Sequence, residues 1–453
     1  MFAGTARKHN LRMGYFNRSA RSFSDSFSWN RIRQVGFSIV DQGCAVGAMF
    51  LVNIGLARTQ PKEGYGIFVL TYSVYTFLAG LHNAAILEAY TIHGSGRYRE
   101  HFPAYARLFW RKNLALAFGL SAALTLAWGA LAWKLPAFRS STIVGMALVC
   151  GVLLTASFAR RTFYIRRRPE LAAKFSSIFF AICLGLLWVS IRARILNGFY
   201  AFLIVGFAWS VAAVFVSGDL RGGPDTSHFA EIEPGYWREH WKYSRWVFVT
   251  ALVFQLTNQA YYWLAAAFLS VKGVGNLRAL YNVVTPIDQV FTAMVLLILP
   301  MLSFRFAARR TAGLIPLWRN YCIVSLLITC GFATVVSVFG GPIMHVLYAG
   351  KFDDIAPLIA TLSLLPVVMG VGNSINAALK AMEKPQGVFY GYLASGAATF
   401  LIGLPLIVRF GLRGAVYGML ASAGVYTITL GIGFGIYCSQ ADARVVDFAM
   451  PSK

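Results

Sequence analysis

Apolar runs of about 20 residues, each bounded by a short polar gap, recur along the whole chain. That is the length a helix needs to cross the hydrocarbon of a bilayer. Such runs lie at 34–57, 66–92, 113–133, 142–159, 171–191, 198–217, 246–270, 279–303, 321–340, 357–378, 388–408 and 415–438, the fourth being the shortest. The pattern predicts an all-α polytopic membrane protein with about twelve transmembrane helices. The longest connection, 218–245, contains Asp219, Arg221 and Gly222-Gly223-Pro224 and falls at mid-chain. It reads as a cytoplasmic linker between two six-helix bundles, 34–217 and 246–438, flanked by a basic tail over 1–33 and a second tail over 439–453.

Composition and charge sharpen this picture. Hydrophobic residues fill 57% of the 453 positions and charged ones 13%, at a mean hydropathy of +0.60. Soluble domains carry about 25% charged residues, so an ordinary soluble enzyme, a disordered chain and a coiled coil are excluded. On a soluble chain the formal charge of +24 would suggest nucleic acid. Here the basic residues sit between apolar runs, so membrane lipid is the expected partner and nucleic acid is not. Gap by gap, thirty of the 41 Lys and Arg fall on one side and eleven on the other, with the N-terminal tail on the richer side. The positive-inside rule then makes both termini cytoplasmic and the protein a multi-pass resident of the inner (plasma) membrane. The tail around Arg18 and Arg21 reads as a cytosolic segment held near anionic lipid. An Arg/Ser-rich, acid-poor N-terminus is also the composition of a transit peptide.

The two halves repeat. A shift of 209 residues lays Gly64 on Gly273, Gly66 on Gly275, Tyr72 on Tyr281, Val74 on Val283 and Thr76 on Thr285. Duplicated halves are a transporter architecture whose substrate path lies between them. Polar side chains inside apolar spans are costly and normally face a cavity or a partner. At about 100° per residue, Gln42 and Asn53 of the first span share a face with Ser38, and Asp41 lies beside it. Tyr72, Thr76 and Asn83 share a face of the second span, and Gln255, Asn258, Gln259 and Tyr262 one of the seventh. Arg278, Asn282, Thr285, Gln289 and Thr292 make a stripe on the eighth, flanked by Asp288, and Pro286 is expected to kink that helix. Hydrogen bonding between helices explains any single Asn or Thr. Four stripes on equivalent helices of both halves predict a polar cavity.

The charged candidates favour an anion. Arg278 and Lys272 at the outer end, with Arg31, Arg33 and Arg245 at the inner mouths of spans one and seven, place cations along one route. Arginine binds phosphate oxygens bidentately, although inner-mouth arginines also serve as anchors to the cytoplasmic leaflet. Asp41 and Asp288 are candidate proton or cation sites, or counter-ions for Arg, and Glu88 is a paired or snorkelling group. No cofactor is expected, with H⁺ or Na⁺ coupling left open. The six cysteines lie in or beside apolar runs and read as core residues, not disulfides or a metal site. There is no G-x-x-x-x-G-K-[ST], H-E-x-x-H or G-x-S-x-G, and no connection large enough for an active site, so a transporter is expected and not an enzyme.

Three stretches carry a resemblance. They are Leu56-Ala57-Arg58 with Glu63-Gly64-Tyr65-Gly66-Ile67-Phe68 after the first span, and Ala377 to Pro385 after the tenth. The third is Gly403-Leu404-Pro405-Leu406-Ile407 followed by Gly411-Leu412-Arg413-Gly414-Ala415. Their order along the chain resembles the multidrug/oligosaccharidyl-lipid/polysaccharide (MOP) exporter superfamily, in its Wzx-type polysaccharide flippase branch; Met382 stands where the pattern usually has Gly. The resemblance implies two six-helix bundles in a V, a central cavity lined by helices one, two, seven and eight, and alternating access. It also implies a cargo of polyprenyl-pyrophosphate-linked oligosaccharide for exopolysaccharide or O-antigen synthesis, with other polysaccharide-assembly membrane proteins as possible partners.

The leading expectation is thus a lipid-linked oligosaccharide flippase that leaves covalent bonds untouched. The alternative is a cation-coupled, MATE-like small-molecule or drug exporter using Asp41 and Asp288. A membrane-embedded polysaccharide polymerase or ligase ranks third, because the outer connections are too short for such chemistry.

Overall fold

A computed structural model describes residues 29–134, 140–216, 218 and 235–449. The expected basic tail before residue 29 and most of the linker (219–234) lie outside the described residues. The described residues contain no strand and form long helices: α1 (Trp29–Thr59), α2 (Lys62–Ser95), α3 (Phe102–Lys134), α4 (Ser141–Ile165), α5 (Pro169–Arg192) and α6 (Gly198–Phe215). There follow α7 (Tyr236–Phe268), α8 (271–308), α9 (311–348), α10 (Leu358–Ala381), α11 (385–410) and α12 (412–449). Helix α8 runs into α9 with a break at Arg309 (φ −138°) and Arg310 (φ 50°), and α11 into α12 with a break at Gly411 (φ 61°). Taking each of these pairs as one, nine of the described helices are long and apolar enough to cross a membrane. Helix α7 is also of spanning length, but Arg238, Glu239, Lys242 and Arg245 make its first turns polar. The last ten residues of the expected linker therefore belong to α7.

Two local features shift the register read from sequence. Residues 83–87 of α2 form a π-helical turn, which inserts a residue and rotates everything beyond it. After α10 the left-handed residue is Glu383 (φ 58°), while Met382 keeps φ −83°. The place where a glycine would relieve the backbone is thus Glu383, one residue later than the motif reading. Pro286 lies within α8, whose torsions remain helical up to Arg309.

In the first half α1 packs on α5, and α4 on α3 and α6; in the second, α10 packs on α8 and α9. Aromatic stacking fixes the first core, with Phe179 3.9 Å from Trp209 and Phe175 4.8 Å from the same ring. The halves meet through α2, which lies against α7 and α8. Here the repeated glycines do their packing: a Cβ on Gly66 would overlap the Val271 carbonyl, and one on Gly275 would sit 2.8 Å from the Lys62 carbonyl oxygen. The sequence repeat thus pairs Gly66 and Gly275 at a close backbone contact between the two halves.

Taking the N-terminal side as inner, polar contacts seal the outer end. Lys62 Nζ binds Asp354 at 2.7 Å, and Asn282 Nδ2 donates to the Tyr65 hydroxyl at 3.0 Å. Two caps cross between halves in opposite senses. Arg58 donates to Leu347 O (2.7 Å) and Val346 O at the end of α9, and Lys351 donates to Ala57 O (3.1 Å) and Gln60 O at the end of α1. Cations at helix C-termini satisfy orphan carbonyls and the helix dipole together. At the inner end α7 stays on α2, with His240 Nε2 on Ala85 O at 2.8 Å and the Tyr243 hydroxyl on Glu88 at 3.2 Å. Ile39, Val40 and Gln42 of α1 and Asp288, Gln289 and Val290 of α8 are exposed on those helices' inner halves.

Candidate functional site

The interface encloses a cavity of about 470 Å³. Helix α2 supplies Tyr72, Ser73 and Thr76; α7 supplies Gln255, Asn258, Gln259 and Tyr262; α8 supplies Arg278 and Tyr281. These include Tyr72 and Thr76 but not Asn83 of the second-span stripe, the whole seventh-span stripe, and the outermost residue of the eighth. Tyr72 and Tyr281, equivalent in the repeat, both face the same space.

Arg278 is the only charged residue lining the cavity among those described. Because α8 begins at Val271, Arg278 sits two turns into the helix, deeper than the interfacial place its sequence suggested. Its Nη1 donates to the Tyr262 hydroxyl at 3.1 Å, and its guanidinium lies about 6 Å from the rings of both Tyr72 (6.0 Å) and Tyr262 (5.9 Å). Its Nε is buried without a partner. No described carboxylate comes within ion-pair distance of it. A cation held by neutral hydroxyls and ring faces retains its attraction for an anion.

Other predicted residues are placed elsewhere. Asp41 faces α4 and α5, fully buried inside the first half. Arg160 grips it with two bonds (3.0 and 2.7 Å), and the hydroxyls of Tyr164 (2.7 Å) and Ser176 (2.5 Å) complete its shell. Four donors leave it no place in the cavity, which no residue of α1 lines. The expected lining by helix one is corrected accordingly. Gln42 is exposed on the inner half of α1, and Asn53, buried, donates to Met49 O at 2.8 Å. Asn53 also lies 3.5 Å from the Tyr65 hydroxyl that Asn282 reaches, so Asn53 and Asn282 belong to the outer seal. Asn83, in the π turn, accepts from Arg161 at 3.0 Å. Thr285 bonds back to Tyr281 O at 2.9 Å, while Asp288, 3.4 Å from the Tyr281 hydroxyl, and Gln289 are exposed on the inner half of α8 and outside the cavity lining. Arg33 and Arg245 are exposed at that end, and the side chain of Arg31 lies outside the described residues.

The sequence reading missed the far wall of the cavity. Tyr392, Ser395 and Thr399 of α11 and Ser422 and Tyr426 of α12 line it. Their spacing of three and four residues is the same helical signal used for α7 and α8. Isolated hydroxyls in otherwise apolar spans carry less of it than amides and charges do.

No protein-family model and no curated protein matches the sequence. Solved structures match the fold. An inward-facing multidrug resistance MATE family transporter of the MOP superfamily has a TM-score of 0.72 at 13% identity, over 90% of this chain and 99% of its own. An outward-facing conformation of such a transporter reaches 0.67 at 13% identity, over 90% and 95%. A MOP superfamily transporter from Pyrococcus furiosus, described by the reverse polarity of its binding pocket, reaches 0.64 at 12% identity, over 91% and 96%. The chain has the fold of the MATE transporters of the MOP superfamily.

Proposed function

We propose that this protein is a multi-pass inner-membrane transporter that works by alternating access. Its cargo, on this reading, is the anionic head group of a polyprenyl-pyrophosphate-linked oligosaccharide, as in the Wzx-type flippases it resembles in sequence. The observation that carries the reading is Arg278, the sole charge lining the cavity among the described residues and unpaired with any described carboxylate. A site for an organic cation would place a carboxylate there. The exposed inner halves of α1 and α8 support the same view, since a gap between them would let a prenyl tail stay in lipid while its head group entered.

In a partly desolvated cavity a guanidinium–phosphate bond contributes about 1.5–3 kcal/mol. Arg278→Ala should therefore weaken capture by about 10- to 100-fold, and Arg278→Lys should restore part of it, keeping charge without the fork. Surface polysaccharide is measured in the native host at matched membrane abundance. Normal export by the alanine variant removes Arg278 from the mechanism. A second reading, cation-coupled drug export, is favoured by the multidrug transporters sharing the fold and by Asp288 on the inner half of α8. It requires that overexpression raise resistance to cationic drugs and that Asp288→Asn abolish the effect.

A further inference from the structure

The cavity wall facing away from α2 is chemically unlike the Arg278 side. Tyr392 stacks on Tyr426 with ring centroids 5.1 Å apart and 24° between planes, and Phe254 braces Tyr392 edge-on at 4.7 Å. Behind them Asn376 donates to the Tyr426 hydroxyl at 2.8 Å, while its own carbonyl oxygen is buried and unpartnered. Beside the rings Ser395 donates to Ser422 O at 3.1 Å, and the Ser422 hydroxyl lies 2.8 Å from that of Tyr261. This wall is neutral, with fixed aromatic rings and several hydroxyls at one end of a cavity whose single charge among the described residues is Arg278. A prenyl or acyl chain gains nothing from buried hydroxyls, which lose their hydration against it. An organic cation would be drawn to the ring faces but repelled by Arg278 in the same cavity. A pyranose ring has what the wall can satisfy: one face of C–H groups to lie on an aromatic ring and a rim of hydroxyls to exchange hydrogen bonds.

We propose that Tyr392, backed by Tyr426, and the Ser395–Ser422 edge form a carbohydrate subsite that holds the sugar joined to the pyrophosphate at Arg278. This rests on the anionic head-group reading above and adds the residues that read the sugar. The two halves of the site then divide the work. Arg278 captures any polyprenyl pyrophosphate, and the tyrosine wall distinguishes what it carries.

The test uses the full chain in lipid nanodiscs. Its probes are polyprenyl pyrophosphate and polyprenyl pyrophosphates bearing glucose, galactose or N-acetylglucosamine. At least one sugar-bearing probe should bind about tenfold tighter than the bare lipid, the scale of one good polar or stacking contact. Tyr392→Leu should erase that difference by weakening the sugar-bearing probes far more than the bare lipid; Tyr392→Phe should keep most of it. Ser395→Ala, a smaller change, should reduce the preference in part. Arg278→Ala should weaken all probes together. The subsite is overturned if wild type prefers none of the sugars, or if Tyr392→Leu and Ser395→Ala leave the preference intact or weaken every probe equally. Failure of wild type to bind any probe overturns the head-group reading itself.

Discussion

Replacing Gly66 by alanine should break the outer seal, and the geometry gives the scale. Gly275, its partner across the halves, would place a new Cβ 2.8 Å from the Lys62 carbonyl oxygen, where ordinary contact begins at 3.4 Å. A helix carrying it must shift by about 0.6 Å against backbone, which cannot rotate away. At Gly66 the overlap with the Val271 carbonyl is deeper still. Overpacking of this kind costs about 1–3 kcal/mol. The helix propensity that alanine adds is common to both states and cancels, so Gly66→Ala should lose about 1–3 kcal/mol in the outer-closed state alone, since separating the outer ends relieves the clash. That is a shift of about 5- to 150-fold toward an outer-open state. The assay is labelling by a membrane-impermeant maleimide added outside intact cells. The target is a cysteine replacing Val69, which lines the cavity and is 2% exposed, in a background without the native cysteines. Gly64→Ala is the internal control, because its Cβ would meet nothing closer than the Gln60 side chain at 3.5 Å. Labelling should rise about 5-fold or more in Gly66→Ala and stay flat in Gly64→Ala. Equal labelling of the two would refute the argument that α2 and α8 close the outer end by backbone contact.

Asp41→Ala should leave Arg160 uncompensated inside the first half and cost about 3–5 kcal/mol of stability. Detergent-solubilised protein should accordingly melt well below wild type, and Asp41→Leu with Arg160→Met should recover much of the loss. A normal melting temperature with altered ion dependence would return Asp41 to a coupling role. On the inner face, His240 is buried against Phe109 and Trp237, close to His93, Lys112, Glu239 and Arg97, and burial pushes its pKa down to about 4. The packed form thus favours neutral imidazole, so the contact is fully stable above the free-histidine value of about 6.5 and is lost as pH falls toward 4. Protection of residues 236–245 against hydrogen exchange, taken relative to the intrinsic rate at each pH, should fall between pH 7 and pH 5 in wild type, and His240→Gln should flatten that dependence; an unchanged slope in the variant would assign it to another group.

Much of the architecture was legible because the bilayer imposes one length scale on every segment. The apolar runs at 142–159 and 171–191 fall inside α4 and α5, and the shift of 209 residues found the two glycines that touch. Helix ends were less legible. Hydropathy falls where charge begins, but hydrogen bonding continues, so α7 starts at Tyr236 although its apolar stretch begins ten residues later. The break at Arg309 and Arg310 has no glycine or proline to mark it, whereas Gly411 marks its own. The π turn at 83–87 is invisible to a fixed 100° wheel. Asn83, in phase with Tyr72 and Thr76, opens that turn and meets Arg161 instead of lining the cavity.

The charges show why a site needs contacts as well as faces. Asp41 and Arg278 look alike in sequence, each an ionisable residue on a polar stripe of a span that opens its half or follows it closely. The difference is a partner 119 residues away: Arg160 neutralises Asp41 within the first half. Glu88 is likewise drawn to Tyr243 at the inner end, and Asp354 to Lys62 at the outer one. Each pairing holds a carboxylate away from the cavity lining. Arg278 has no such partner among the described residues, so the cavity keeps a positive centre although it is lined mostly by uncharged groups. On this view the preference for an anion is set as much by pairings at a distance as by Arg278 itself. Freeing one of those carboxylates toward the cavity would weaken it without touching the site.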